Sequence, residues 1–143
     1  MTQGTSPGDS VFVQNRLLMH VRDCGESEVR IPFALGADHS RTWIVSRVDG
    51  GLRLKHDHRH EDGTEDRVSR YGGDTHAPGT AERQEFPADS FTAALLPPAA
   101  TNVWTLEIAP GRTFAYMLRR EGTDRRFRVE FDLRRPVAPP AAP

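Results

Sequence analysis

The strongest constraint on the fold is a two-residue alternation of apolar and polar side chains that recurs along most of the chain. Runs of this kind, rich in β-branched and aromatic residues, are typical of strands with one buried face. The runs are VFVQNRLLMHV (11–21), EVRIPFAL (28–35), RTWIVSRV (41–48), LRLKHDH (52–58), FTAALL (91–96), VWTLEI (103–108), TFAYMLRR (113–120) and RFRVEFDL (126–133). No amphipathic helical pattern is longer than about two turns, although FTAALL could also form a short helix capped by Ser90.

These runs predict an all-β, single-domain antiparallel meander of about eight strands, because short connections join them. The pattern favours an up-and-down barrel over a β-sandwich, and it is similar in architecture to the calycin barrels, which bind small apolar or amphipathic ligands. We expect residues 1–10 to be a disordered N-terminal segment, 11–135 the barrel domain and 136–143 a Pro/Ala-rich tail. The polar, turn-rich stretch 61–82 predicts a functional or mobile loop.

Charge and hydropathy exclude several classes of partner. The formal net charge of −1 argues against bulk attraction to nucleic acid or to an anionic membrane. No apolar stretch reaches the roughly 18 residues needed to span a bilayer. The first residues, MTQGTSPGDS, lack the basic start and apolar run of a signal peptide, which predicts a cytoplasmic protein. Cys24 is the only cysteine, so an internal disulfide is excluded.

The last three runs, 103–108, 113–120 and 126–133, predict a sheet with one apolar, buried face and one polar, solvent-exposed face. Their apolar residues fall on one face only when the strands pair in a particular register, because a slip of one residue turns a side chain to the other face. The register that we predict pairs Ile108 with Phe114, Leu106 with Tyr116, Leu118 with Val129 and Tyr116 with Phe131. Tyr116 should therefore be buried.

A second hairpin is predicted around Asp49-Gly50, the preferred dipeptide of a two-residue type I′ turn. Counting outward from this turn, the predicted pairs are Val48–Gly51, Val45–Leu54, Trp43–His56, Arg41–His58 and, one step further, His39–His60. The inward face of this hairpin thus begins apolar and becomes rich in imidazole towards one end.

The leading functional hypothesis is a small-molecule binding module with a polar, histidine-lined pocket. The predicted lining consists of Trp43, Leu54, His56 and His58, with Arg41 at the rim. A buried imidazole needs a polar partner, water or ligand, which a pocket supplies more readily than a packed core. The planar guanidinium of Arg41 could hold a carboxylate or phosphate of a ligand.

A second hypothesis uses the same histidines in a metal-dependent enzyme. Imidazoles two residues apart on a strand can reach one divalent ion, and the candidate ligands are His56, His58, His60 and His39. Gly50 followed by His56-Asp57-His58 resembles the first half of the cupin motif, which implies such a metal site. The cupin glutamate and the later histidine have no counterparts at the expected spacing.

Two further interpretations are structural. In one, the strand frays beyond His56, which stacks on Trp43 while the other histidines are solvated. In the other, the protein is an interaction domain with no interior site, and its arginine-rich C-terminal hairpin forms the exposed surface.

Overall fold

The computed structural model describes residues 2–139 and places about eleven strands in this part of the chain. The strands are β1 (Thr2–Gly4), β2 (Leu17–Met19), β3 (Asp23–Cys24), β4 (Glu28–Leu35), β5 (Asp38–Val48), β6 (Gly51–His58), β7 (Tyr71–Asp74), β8 (Arg83–Pro87), β9 (Asn102–Ala109), β10 (Thr113–Arg120) and β11 (Arg126–Asp132). Helices α1 (Ser10–Gln14) and α2 (Ser90–Leu95) are short, and 3-10 turns cover Pro7–Asp9 and Pro97–Ala99. No helix in the described part is long and apolar enough to cross a membrane.

The strands form two antiparallel sheets, which confirms the all-β prediction. The first sheet has the order β1-β11-β10-β9-β8. The second has the order β2-β4-β5-β6-β7, with β3 also paired to β4. Within residues 2–139, no ladder of hydrogen bonds closes the two sheets into the barrel that the sequence favoured.

The inward faces of the two sheets pack against each other through large aromatic side chains. Trp43 on β5 stacks on Tyr116 on β10 with ring centroids 4.6 Å apart, and Phe33 meets Phe131 edge to face at 5.9 Å. Aromatic pairs in these orientations add to the free energy gained by burying their surface. The sheets therefore share one core.

The alternation in the C-terminal runs predicted the inward faces correctly, but one register differs. The β9–β10 pairs Ile108–Phe114 and Leu106–Tyr116 are confirmed. On β11, Tyr116 lies opposite Val129 instead of Phe131, and Leu118 lies opposite Phe127. The hairpin closes more tightly than expected, through a hydrogen bond from the Arg120 N–H to the Arg125 carbonyl. A shift of two residues leaves every side chain on its predicted face.

Two segments differ from the sequence prediction, and a third adopts one of the two alternatives that the sequence left open. Residues 11–21 contain α1 and β2 instead of one strand. FTAALL is helical, and its N-cap is Asp89, whose side chain accepts from the Thr92 N–H, rather than Ser90. The predicted loop 61–82 contains β7, in which Gly72 and Gly73 leave no room for a Cβ: one built on Gly73 lies 1.7 Å from the Pro87 carbonyl oxygen.

Residues 2–9 of the N-terminal segment, for which the sequence predicted disorder, contact the rest of the fold in the structure. Strand β1 pairs with β11, and Asp9 is buried. The Asp9 carboxylate accepts hydrogen bonds from the Ser6 N–H and from the guanidinium of Arg125. Residues 136–139 of the predicted tail have no regular secondary structure, and 140–143, like Met1, lie outside the described residues.

Candidate functional site

The β5–β6 hairpin has the register that its turn predicted. The turn itself is not the predicted type I′, because Gly50 has a positive φ of 79° whereas Asp49 does not. The ladder pairs Val45 with Leu54, Trp43 with His56, and Arg41 with His58. The ladder ends at this last pair. His56 and His58 therefore lie on the inward face together with Trp43, as the period of two required.

His56 is held by hydrogen bonds at both ring nitrogens. Nδ1 lies 2.9 Å from the backbone carbonyl oxygen of Tyr71, and Nε2 lies 2.8 Å from the hydroxyl of Tyr116. A carbonyl oxygen can only accept, so Nδ1 carries the proton and Nε2 accepts from the Tyr116 O–H. With only 3 % of its surface exposed, His56 is a fixed, neutral part of the wall between the sheets.

Burial keeps the ionisable groups of this wall uncharged at neutral pH. It lowers the pKa of His56 to about 3 and raises the pKa of Tyr71 to about 12. It also raises the pKa of Tyr116 well above its usual value. Burial, helped by the nearby positive charge of Arg41, lowers the pKa of His58. These directions follow from the cost of placing a charge in a region poor in water.

Aromatic rings surround the two histidines. The His56 ring stacks on Tyr71 with centroids 4.1 Å apart, and Trp104 lies 5.1 Å away on the opposite sheet. The Tyr71 hydroxyl also lies 3.0 Å from Nε2 of His58. The result is a wall of flat, mostly apolar surfaces whose polar atoms bind one another.

A cavity of about 360 Å³ lies next to this wall, between the ends of the two sheets. Rings of both sheets line it, together with the 3-10 turn Pro97–Ala99. The N-terminal segment covers one side, where Phe12 of α1 packs edge to face on Phe127 at 4.8 Å and carries the Arg41 guanidinium over its face at 5.7 Å.

Charged groups gather at the mouth of the cavity. Three arginines and one carboxylate belong to its lining, namely Arg41, Arg120, Arg125 and Asp9. Arg125 binds both oxygens of Asp9 through its two terminal nitrogens. Arg120 donates from Nε to Oδ1 of Asn102 at 2.9 Å, and Arg41 donates to Asp38 at 2.7 Å. The mouth thus carries more positive than negative charge.

The structure brings together most of the predicted pocket residues. Trp43, His56, His58 and Arg41 all line the cavity. Leu54 does not, since it lies two residues before His56 in the packed interior, where none of its surface is exposed. The expected place of Leu54 in the lining was therefore wrong.

The predicted metal ligands are divided between two places. His56 and His58 line the cavity, whereas His39 and His60 lie at a separate surface depression with Asp38 and Glu61. In the described part of the chain, no group of three histidine, cysteine or carboxylate side chains is placed to hold a metal ion. The last ladder pair is Arg41–His58; one further hydrogen bond, from the Arg59 N–H to the Ser40 carbonyl, follows it, and the predicted His39–His60 pair is absent from the ladder.

Sequence reasoning missed the residues that complete the site from other elements. They are Asp9, Phe12, Tyr71, Asn102, Trp104, Tyr116, Arg120 and Arg125. Tyr116 and Trp104 were recognised as inward-facing, but the sequence does not say which inward position of one sheet lies opposite His56 on the other. Asp9 and Arg125 are 116 residues apart, and no local pattern links them.

Comparison of the chain with protein-family models, with curated proteins and with solved structures finds no match. The chemistry of the site must therefore be inferred from its own residues: a neutral aromatic wall, fixed by internal hydrogen bonds, that ends at a cationic mouth.

Proposed function

We propose that the protein binds a small molecule in the cavity between its two sheets, with Trp43, His56 and His58 as wall residues and Arg41 at the rim. The observation that carries this proposal is the state of His56, which is buried at the wall of an open space and yet fully hydrogen-bonded. A purely structural core gains little from placing an imidazole and two tyrosines at such a point, because each polar group must find a partner to offset its desolvation. As the wall of a binding site, the same network supplies a rigid surface.

The size and composition of the cavity support this function. Its volume of about 360 Å³ is at the small end of ligand pockets, which span roughly 300–1,000 Å³. Such pockets are mainly apolar and aromatic with a few polar groups that orient the ligand, as is this one. A ligand with one or two rings would fill it.

We also propose that the two sheets that enclose the cavity form an open, calycin-like barrel. The two sheets approach along β7 and the end of β8, where the Asp89 N–H donates to the Gly72 carbonyl at 2.9 Å. The close approach of Gly73 to the Pro87 carbonyl lies on the same side. On this side the two sheets are in close contact, as in a closed barrel wall. The cavity opens away from this contact, at the ends of the strands.

The two alternative functions are less well supported by the geometry. A metal-dependent enzyme would need the four histidines together, and both nitrogens of His56 already have protein partners. An interaction domain without an interior site would have a filled interior with its histidines in solvent. His56 is buried and lines a cavity.

Intrinsic fluorescence provides a direct test, because the chain has only two tryptophans, Trp43 and Trp104, and both line the cavity. We would titrate the protein with a set of one- and two-ring aromatic compounds that includes neutral, cationic and anionic members. We expect at least one compound to change the fluorescence saturably at a 1:1 ratio and to raise the melting temperature.

A matched pair of variants locates the binding. Ala99→Phe should fill the cavity from its lining, whereas Ala100→Phe adds the same ring to the next, exposed residue. Binding should be lost in the first variant and retained in the second, with both melting cooperatively. The proposal fails if no compound binds, or if Ala99→Phe folds and binds as well as the wild type.

A further inference from the structure

We infer that the natural ligand is a small, planar aromatic monocarboxylate, whose carboxylate binds the guanidinium of Arg120 while its ring lies against the aromatic wall. This inference rests on the proposed binding function and adds the chemical class of the ligand and the residue that selects it.

The charges of the cavity lining leave Arg120 as the group without a counter-ion. Asp9, the only carboxylate of the lining, is bound by both terminal nitrogens of Arg125 and by the Ser6 N–H. Arg41 has Asp38 as its partner. Glu121, the residue next to Arg120, pairs with Arg119 instead. Between residues 2 and 139, no carboxylate lies within ion-pair distance of Arg120.

The local structure fixes the Arg120 guanidinium without using its whole binding capacity. Nε of Arg120 donates a hydrogen bond to Oδ1 of Asn102, a buried residue that is only 5 % exposed. The backbone of Arg120 is tied into the turn by its N–H to Arg125 and by its carbonyl, which accepts from Thr123. The terminal amino groups have no partner among the described residues, and they have the spacing that a carboxylate matches with two parallel hydrogen bonds.

The rest of the cavity specifies an apolar, flat body. The deep wall contains the rings of Trp43, Trp104 and Tyr71. Trp43 already stacks on Phe33 and Tyr116, so a flat ligand would meet ring edges as well as faces, and both contacts favour an aromatic body. Both nitrogens of His56 are occupied, so a ligand gains nothing from extra donors or acceptors on that side. A second negative charge would find no second unpaired guanidinium in the lining, because Arg41 is paired with Asp38 and Arg125 with Asp9, and this disfavours dianions such as phosphate monoesters.

Calorimetric titration with matched probes tests the inference. 2-Naphthoate carries the carboxylate, 2-naphthamide is its neutral isostere, and 2-naphthyl phosphate carries a second charge. We expect the wild type to bind 2-naphthoate at least about tenfold more tightly than either of the other two, since a charge-assisted bidentate contact provides a difference of this order. Added salt should weaken the binding of 2-naphthoate more than that of 2-naphthamide.

The variant Arg120→Gln should bind 2-naphthoate about tenfold more weakly and leave the affinity for 2-naphthamide unchanged. Arg112→Gln makes the same charge change at an exposed turn residue outside the cavity, and it should alter neither affinity. Because the three probes are compared on the wild type, the test does not depend on the stability of the variant.

Equal affinities for 2-naphthoate and 2-naphthamide, tighter binding of the phosphate, or an equal effect of the two variants would overturn the assignment of a monocarboxylate to Arg120 and leave the binding function standing. Failure of every compound in the broader fluorescence set would instead overturn the binding function itself.

Discussion

Two neighbouring regions between the sheets are built from the same inward faces but are stabilised in different ways. The packed interior contains Leu54, Phe86 and Val129, none of which exposes any surface. The cavity wall begins two residues further along β6, at His56, and is built on hydrogen bonds to Tyr71 and Tyr116. The first region gains its stability from excluded water and close packing, the second from satisfied polar groups.

The inward position of a side chain therefore does not decide whether the space in front of it is filled by other side chains. Leu54 and His56 have the same orientation on one strand, and each lies opposite a β5 residue in the same ladder. The two side chains differ in what they require from the opposite sheet. A buried polar side chain requires a hydrogen-bond donor or acceptor at a defined position, whereas an aliphatic side chain requires only close packing. The cavity lies beside His56, the first of the inward positions on β6 that is held by polar partners.

The largest expected effect lies in the packed interior. Phe86→Ala should lower the free energy of unfolding by about 3–5 kcal/mol, because it removes a fully buried ring and leaves a cavity. Chemical denaturation monitored by circular dichroism measures the loss. Phe91→Ala, at a residue that is 49 % exposed, should cost less than about 1 kcal/mol. A loss below about 1 kcal/mol for Phe86→Ala as well would mean that this region is not packed as described.

A smaller effect is expected in the cavity wall. Tyr116→Phe keeps the ring but leaves Nε2 of His56 without its donor, which should cost about 1–3 kcal/mol. Tyr71→Phe removes a hydroxyl that binds His58, whose side chain is only partly buried, so water can replace it and the cost should be less than about 1 kcal/mol. Equal costs for the two variants would contradict the distinct roles of the two hydroxyls.

The smallest effect is a pH dependence of stability that arises from the histidines of the cavity wall. The pKa of His56 is about 3 in the folded protein and about 6.5 in the unfolded chain. Between these two pKa values the unfolded state binds more protons than the folded state, so the free energy of unfolding falls as the pH is lowered below about 6.5. Between pH 7 and 5.5 the loss from His56 should be about 1 kcal/mol.

Denaturation curves at several pH values would measure this loss. His56→Gln should remove the contribution of His56, about 1 kcal/mol, and the dependence that remains should come from His58, whose pKa is lowered in the same direction. Leu54→Ala should reduce stability but keep the full dependence. If stability were constant from pH 7 to 5.5, His56 would not be the buried neutral group that the wall requires.

How far the sequence predicted the strand pairing depended on the turn. The Asp49-Gly50 turn fixed every pair of the β5–β6 ladder, because a loop of only two residues permits one register. The longer connection between β10 and β11 permitted several, and the prediction missed by two residues. Strand β7 was missed altogether, since its Gly72 and Gly73 have the composition of a turn; their small size is needed for contacts with distant backbone.

The amino-acid sequence was sufficient to predict which side chains point inward, including His56 and His58, because that property depends only on alternation along a strand. It did not predict that Tyr116 lies opposite His56, that Asp9 binds Arg125 or that Arg120 reaches the cavity. These contacts join residues from different sheets or from opposite ends of the chain. They follow from how two whole sheets pack against each other, and no period within a single strand encodes that arrangement.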